Sequence, residues 1–139
     1  MTITAAVRRR ICEAANGRCG YCLMPTQYVQ APMEIDHIIP LSAGGTDDEE
    51  NLWLACPRCN IFKAAQTQAI DPESGKLESL FNPRKQLWPE HFTWSEDDAH
   101  IIGLTPCGRA TAAALKMNLA EVVAFRRLIA SVGWYPPKI

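Results

Sequence analysis

The chain has 139 residues, 47% of them hydrophobic, with six cysteines and a formal net charge of -1. That length supports one compact core with extensions rather than two independently stable units. The near-neutral balance excludes a whole-protein electrostatic pull on nucleic acid, which leaves phosphate binding to local clusters such as Arg8 to Arg10, Arg84-Lys85 and Arg126-Arg127.

The amino-terminal run lacks the apolar stretch of a secretion signal, and no later stretch is apolar enough to span a bilayer. The sequence therefore predicts a cytoplasmic protein with no membrane partner. Thr4 is placed to cap a first helix running toward Asn16, with Val7 and Ile11 at helical spacing, the arginine triplet outward and Gly17 as the stop. Met33 to Ile39 reads as a short strand that ends at Pro40, followed by a polar loop through Gly44-Gly45 and the acids Asp47 to Glu50. A second strand fits Asn51 to Leu54, and a helix fits Pro57 to Gln68, with proline in its first turn.

From Asp71 to Trp94, Pro72, Pro83 and Pro89 punctuate a segment read as irregular chain anchored by Phe81, Trp88, Phe92 and Trp94. Two further helices are predicted, Pro106 to Met117 and Leu119 to Val132. Asn118 and Glu121 are spaced as a capping box, Gly133 suits the stop, and Val122, Phe125, Ile129 and Val132 form one apolar stripe assigned to the core. His91 and His100 are assigned to structure. The implied organisation is a main unit at 1–95 and a helical extension at 96–139 packed on it.

Four of the six cysteines form two Cys-x-x-Cys pairs, Cys19/Cys22 and Cys56/Cys59; Cys12 and Cys107 read as packed thiols. Without an export signal a disulfide framework is disfavoured, and two such pairs complete the tetrahedral four-sulfur shell of structural zinc. A closed shell has no open position, so this ion stabilises rather than reacts. Residues 23–55 lie between the pairs and hold Asp36-His37.

The ordered set Asp36-His37-Ile38-Ile39-Pro40, Gly44-Gly45, Asn51-Leu52, Cys56-Pro57-Arg58-Cys59-Asn60 and Lys63 resembles the zinc-stapled branch of the HNH endonucleases over Cys19 to Lys63. The resemblance implies an α+β fold: a ββα-metal, treble-clef-like core stapled by zinc, with an amino-terminal helix and a carboxyl-terminal helical extension. It implies a metal-dependent DNA endonuclease in which His37 is the general base for phosphodiester hydrolysis. Asn51 would hold the loop that carries it, Asp36 and Asn60 would hold the catalytic divalent ion, and Lys63 would contact phosphate. The asparagine at the final motif position, where the family name records histidine, points to magnesium or manganese.

Two rival functions come from other classes. A non-catalytic zinc-knuckle module for DNA or RNA has no need of Asp36, His37 and Asn60 together, and a protein-interaction domain predicts exposed apolar residues on the last helix.

Overall fold

The computed structural model describes residues 3–139; the first two residues, where the 1–95 unit begins, lie outside the described residues. Helix α1 spans Ala5–Ala14, with the Thr4 hydroxyl accepting the Val7 N–H at 3.2 Å. Asn16 and Gly17 both take positive φ and end it. Ile11 is its buried anchor, and Arg8, Arg9 and Arg10 are exposed.

Strands β1 (Glu34–His37) and β2 (Leu52–Ala55) pair antiparallel, with Asp36 opposite Trp53 and His37 opposite Leu52. Leu52 and Leu54 are buried under α1, each contributing roughly 1.5–3 kcal/mol of transfer free energy. Gly45 is required in the loop between the strands, because an added Cβ would lie 1.7 Å from the Ile39 carbonyl oxygen. Helix α2 (Pro57–Lys63) follows β2 directly, capped by the Cys56 sulfur accepting the Cys59 N–H at 3.4 Å. It is shorter than the predicted helix to Gln68, because Ala64 turns to φ 49° and breaks the ladder.

The segment read as irregular is the larger correction. It holds β4 (Leu77–Ser79), which forms a hairpin with β3 (Gln68–Ile70) just before it, then α3 (Trp88–His91) running into β5 (Phe92–Trp94), which pairs with β6 (Ile101–Gly103) just after it. Each strand is only three residues long, so no alternation long enough to read builds up in the sequence. Both hairpins dock on α4 (Pro106–Ala114), and Asp71, at the end of β3, is fully buried in a bidentate pair with Arg109 at 3.0 and 2.9 Å.

Helix α5 (Ala120–Ser131) departs from its sequence reading in three ways. Its buried face is Val123, Arg126 and Ile129; of the assigned stripe Ile129 is buried and Val122 half-buried, whereas Phe125 and Val132 are exposed. Asn118 makes no capping box; its amide instead holds Ile101 from both sides, donating to the carbonyl at 2.8 Å and accepting the N–H at 2.9 Å. Arg126, read as half of a surface pair, is fully buried, while Arg127 is exposed beside Asp97. No helix among the described residues is long and apolar enough to cross a membrane. The architecture is small and α+β, with two-stranded sheets flanked by short helices.

Candidate metal and acid site

The turn after α1 supplies Cys19 and Cys22, and the β2–α2 junction supplies Cys56 and Cys59. All four are buried, their sulfurs lie within 4.8 Å of one another, and Cys22 and Cys56 are 3.8 Å apart. Four sulfurs at about 2.3 Å from one zinc would stand about 3.8 Å apart, so the cluster could hold an ion of that kind. The turns donate to two of the sulfurs: the Tyr21 N–H to Cys19 and the Cys59 N–H to Cys56, each at 3.4 Å. Hydrogen bonds from Cys19, then Cys22 and Cys59, drive the Cys56 thiol far below the ordinary range. The Gly20 N–H bonds the Leu54 carbonyl at 2.8 Å, which ties the first turn to β2.

Glu34 and Asp36 are two apart on β1 and so share a face, and α2 meets that face with residues three apart. Asn60 donates to the Glu34 carboxylate, and Lys63 donates to Asp36 at 3.1 Å and to the His37 carbonyl at 3.0 Å. The second oxygen of Asp36 accepts the Tyr21 hydroxyl at 2.6 Å. Asp36 is 3% exposed; burial pushes its carboxyl above the usual range, opposed by the Lys63 charge and the Tyr21 hydrogen bond. Burial first, and then the Asp36 charge, raises the Tyr21 hydroxyl well above its ordinary value.

Lys63 is 1% exposed, and its ammonium donates to Asp36 and a carbonyl. The physical reason is the buried carboxylate beneath α2, which would be costly without a cation.

His37 leaves the opposite face of β1 and stays at the surface, with Nε2 at 2.8 Å from Asp47 and a quarter of its side chain exposed. Asn51 clamps the loop between them. Its Oδ1 accepts the Ile39 N–H at 2.9 Å, and its Nδ2 donates to the carbonyls of Ile39 and Thr46 at 2.9 and 2.8 Å. Asp36 and His37 are thus sequence neighbours on different sides of one strand end, Asp36 with Lys63 and Tyr21, His37 with Asp47, while Asn60 sits with Glu34.

Sequence reasoning passed over three of these groups. Glu34 was legible from its spacing, two before Asp36 on one strand face. Asp47 was hidden in an acidic run that reads as solvated loop. Tyr21 lay inside the first Cys-x-x-Cys, where attention goes to the sulfurs.

Residues 19–66 match the model of the HNH endonuclease family. A CRISPR-associated endonuclease Cas9 of Corynebacterium diphtheriae is 33% identical over 69 residues, which is 49% of this chain and 6% of that relative. No solved structure matches the chain. The span that matches the HNH endonuclease model, residues 19–66, is the one that carries both cysteine pairs, the β1–β2 hairpin, His37 and α2.

Proposed function

We propose that this protein is a metal-dependent DNA endonuclease, built on a ββα-metal core with structural zinc in the four-cysteine cluster, residues 1–95 forming the nuclease unit and 96–139 its extension. The observation that carries the reading is His37: a solvent-facing imidazole at a strand end, fixed by a carboxylate, beside a second carboxylate held in the interior. A neutral imidazole can take a proton from water.

The Asp47 carboxylate oxygen accepts, so His37 donates from Nε2, and the neutral tautomer leaves the Nδ1 lone pair free. That lone pair removes a proton from water while the water oxygen bonds to phosphorus. The bond from phosphorus to the departing sugar oxygen then breaks, and the imidazolium formed is stabilised by Asp47. Asn51 keeps the loop from carrying Asp47 away from the ring.

Asp36 and Asn60, with Glu34 beside them, carry the hard oxygen donors that suit magnesium or manganese, and they would hold that ion in place of the Lys63 and Tyr21 donors now on the Asp36 carboxylate. Bound there, it would supply charge stabilisation on the phosphate and the leaving oxygen.

The test is cleavage of supercoiled plasmid with magnesium, manganese or chelator, run beside His37→Ala. Metal-dependent nicking should fall at least 100-fold in the variant while its melting curve and zinc content stay those of the parent. Equal turnover in the variant would remove His37 as the base. A folded, zinc-loaded parent that cuts nothing would leave the non-catalytic nucleic-acid-binding module.

A further inference from the structure

Arg126 is the largest fully buried side chain in the described protein, and it has no carboxylate partner. Its Nε donates to the Ala99 carbonyl at 2.6 Å, and one Nη donates to the Met117 carbonyl and to Asn118 Oδ1 at 3.0 Å. Those acceptors are neutral. The other Nη is buried with no acceptor at all. A guanidinium stays charged in proteins, so a full positive charge sits in the interior with dipoles around it but no anion among the carboxylates.

The anion it lacks is supplied by chemistry next to it. Arg126 lines the same cavity, about 370 Å³, as Cys22, Cys56 and Cys59. Four thiolates around one divalent zinc carry a net charge of about -2. Such a centre needs N–H donors on its sulfurs and positive charge near it.

The cluster's own hydrogen bonds point to the same place. Cys19 and Cys56 each accept a backbone N–H from their own turn, whereas among the described residues Cys22 and Cys59 accept none. Of the three cysteines that share the cavity with Arg126, Cys22 and Cys59 are the two that the turns leave without donors. One feature of the fold lacks an acceptor and the other lacks donors, and they share a cavity wall.

We infer that Arg126, delivered by α5, is the counter-cation of the zinc-thiolate centre and that its free Nη–H reaches the Cys22 and Cys59 sulfurs when the metal binds. This makes α5 part of the metal site, although it lies far from either cysteine pair in sequence. It also accounts for the face that α5 buries: the helix turns Arg126 inward beside Val123 and Ile129 and leaves Phe125 outside.

The inference stands apart from the nuclease reading, because its readout is the metal centre. Zinc affinity is measured by competition with a chromophoric chelator in the full chain, for the parent, Arg126→Met and Arg126→Lys. Removing the charge should weaken zinc binding at least tenfold, about 1.4 kcal/mol, and the lysine should recover part of that loss. In the cobalt-loaded protein the sulfur-to-metal charge-transfer bands should shift in the methionine variant and move back with lysine.

A folded Arg126→Met protein with zinc affinity within twofold of the parent, and unchanged cobalt bands, would overturn the inference. Should that variant fail to fold, the parent loaded with cadmium-113 decides. A through-hydrogen-bond correlation between the metal and a guanidinium proton, retained in Arg58→Lys, supports Arg126; the absence of any such correlation removes it.

Discussion

Two cations are fully buried among the described residues, Lys63 in the family-matched span and Arg126 in the helical extension, and the protein accommodates them in opposite ways. Lys63 meets the Asp36 carboxylate at 3.1 Å, and both partners come from the same motif. Arg126 meets carbonyls, an asparagine and the sulfur cluster. The lesson is that a buried charge takes its meaning from its counter-charge. The first cation holds a side chain next to the proposed reaction centre, and the second holds an element against the metal.

The sharpest way to break this contrast is Lys63→Met, which leaves Asp36 buried with only Tyr21. Removing one member of a buried pair costs about 3–5 kcal/mol, which chemical denaturation would register as a lower midpoint. Zinc affinity should stay at the parent value, since Lys63 faces Asp36 and not the sulfurs. A variant that instead loses zinc while keeping its stability would mean that the two cations do the same work.

The same contrast explains how much was legible in the sequence. The cysteine pairs, the strand with Asp36 and His37, Asn51 and the start of α2 at Pro57 all follow from local signals: fixed spacing, a proline in the first turn, a polar loop closed by glycines. Thr4 as a cap is local in the same sense. Arg126 was misread because its environment is built from Ala99, Met117 and a cluster distant in sequence, none of which marks residue 126 itself. Asn118 was read as a cap for a similar reason: three-residue spacing to Glu121 is a local pattern, but the amide is used by β6, and Glu121 pairs with Arg58 at 3.0 Å. Lys63 lay on the expected helix, yet its depth depends on how α2 leans on β1, and spacing does not report that angle.

A smaller effect would sharpen the account of the site itself. Asp47→Asn keeps an oxygen acceptor for His37 but removes the charge that stabilises the imidazolium. We expect kcat for plasmid nicking to fall on the order of tenfold, a fraction of what a positioned base contributes, with KM and melting temperature unchanged. An unchanged kcat would reduce Asp47 to a loop contact and leave His37 oriented by Asn51 alone.

The smallest expected effect lies one residue from Arg126. Arg127 is exposed and pairs with Asp97 at 3.1 Å, so adjacent arginines on α5 sit at opposite extremes of solvation. The Ser95 hydroxyl first, then the Ala99 N–H and the Arg127 charge, hold the Asp97 carboxyl at about 2, below its ordinary 3.8. A carboxyl lowered in the folded state contributes stability that is present above the unfolded value and is lost as pH falls through the folded one. The relevant window is therefore pH 4 down to 2. Asp97→Asn should melt almost like the parent at pH 2, where the parent has lost that contribution, and slightly below it from pH 4 upward. Screening by salt should shrink even this difference, because both partners of the ion pair are half exposed. Melting curves that stay parallel from pH 5 to 2 would show that Asp97 is held by its turn and contributes no charge-dependent stability. That result would leave the charge chemistry of α5 to its buried arginine.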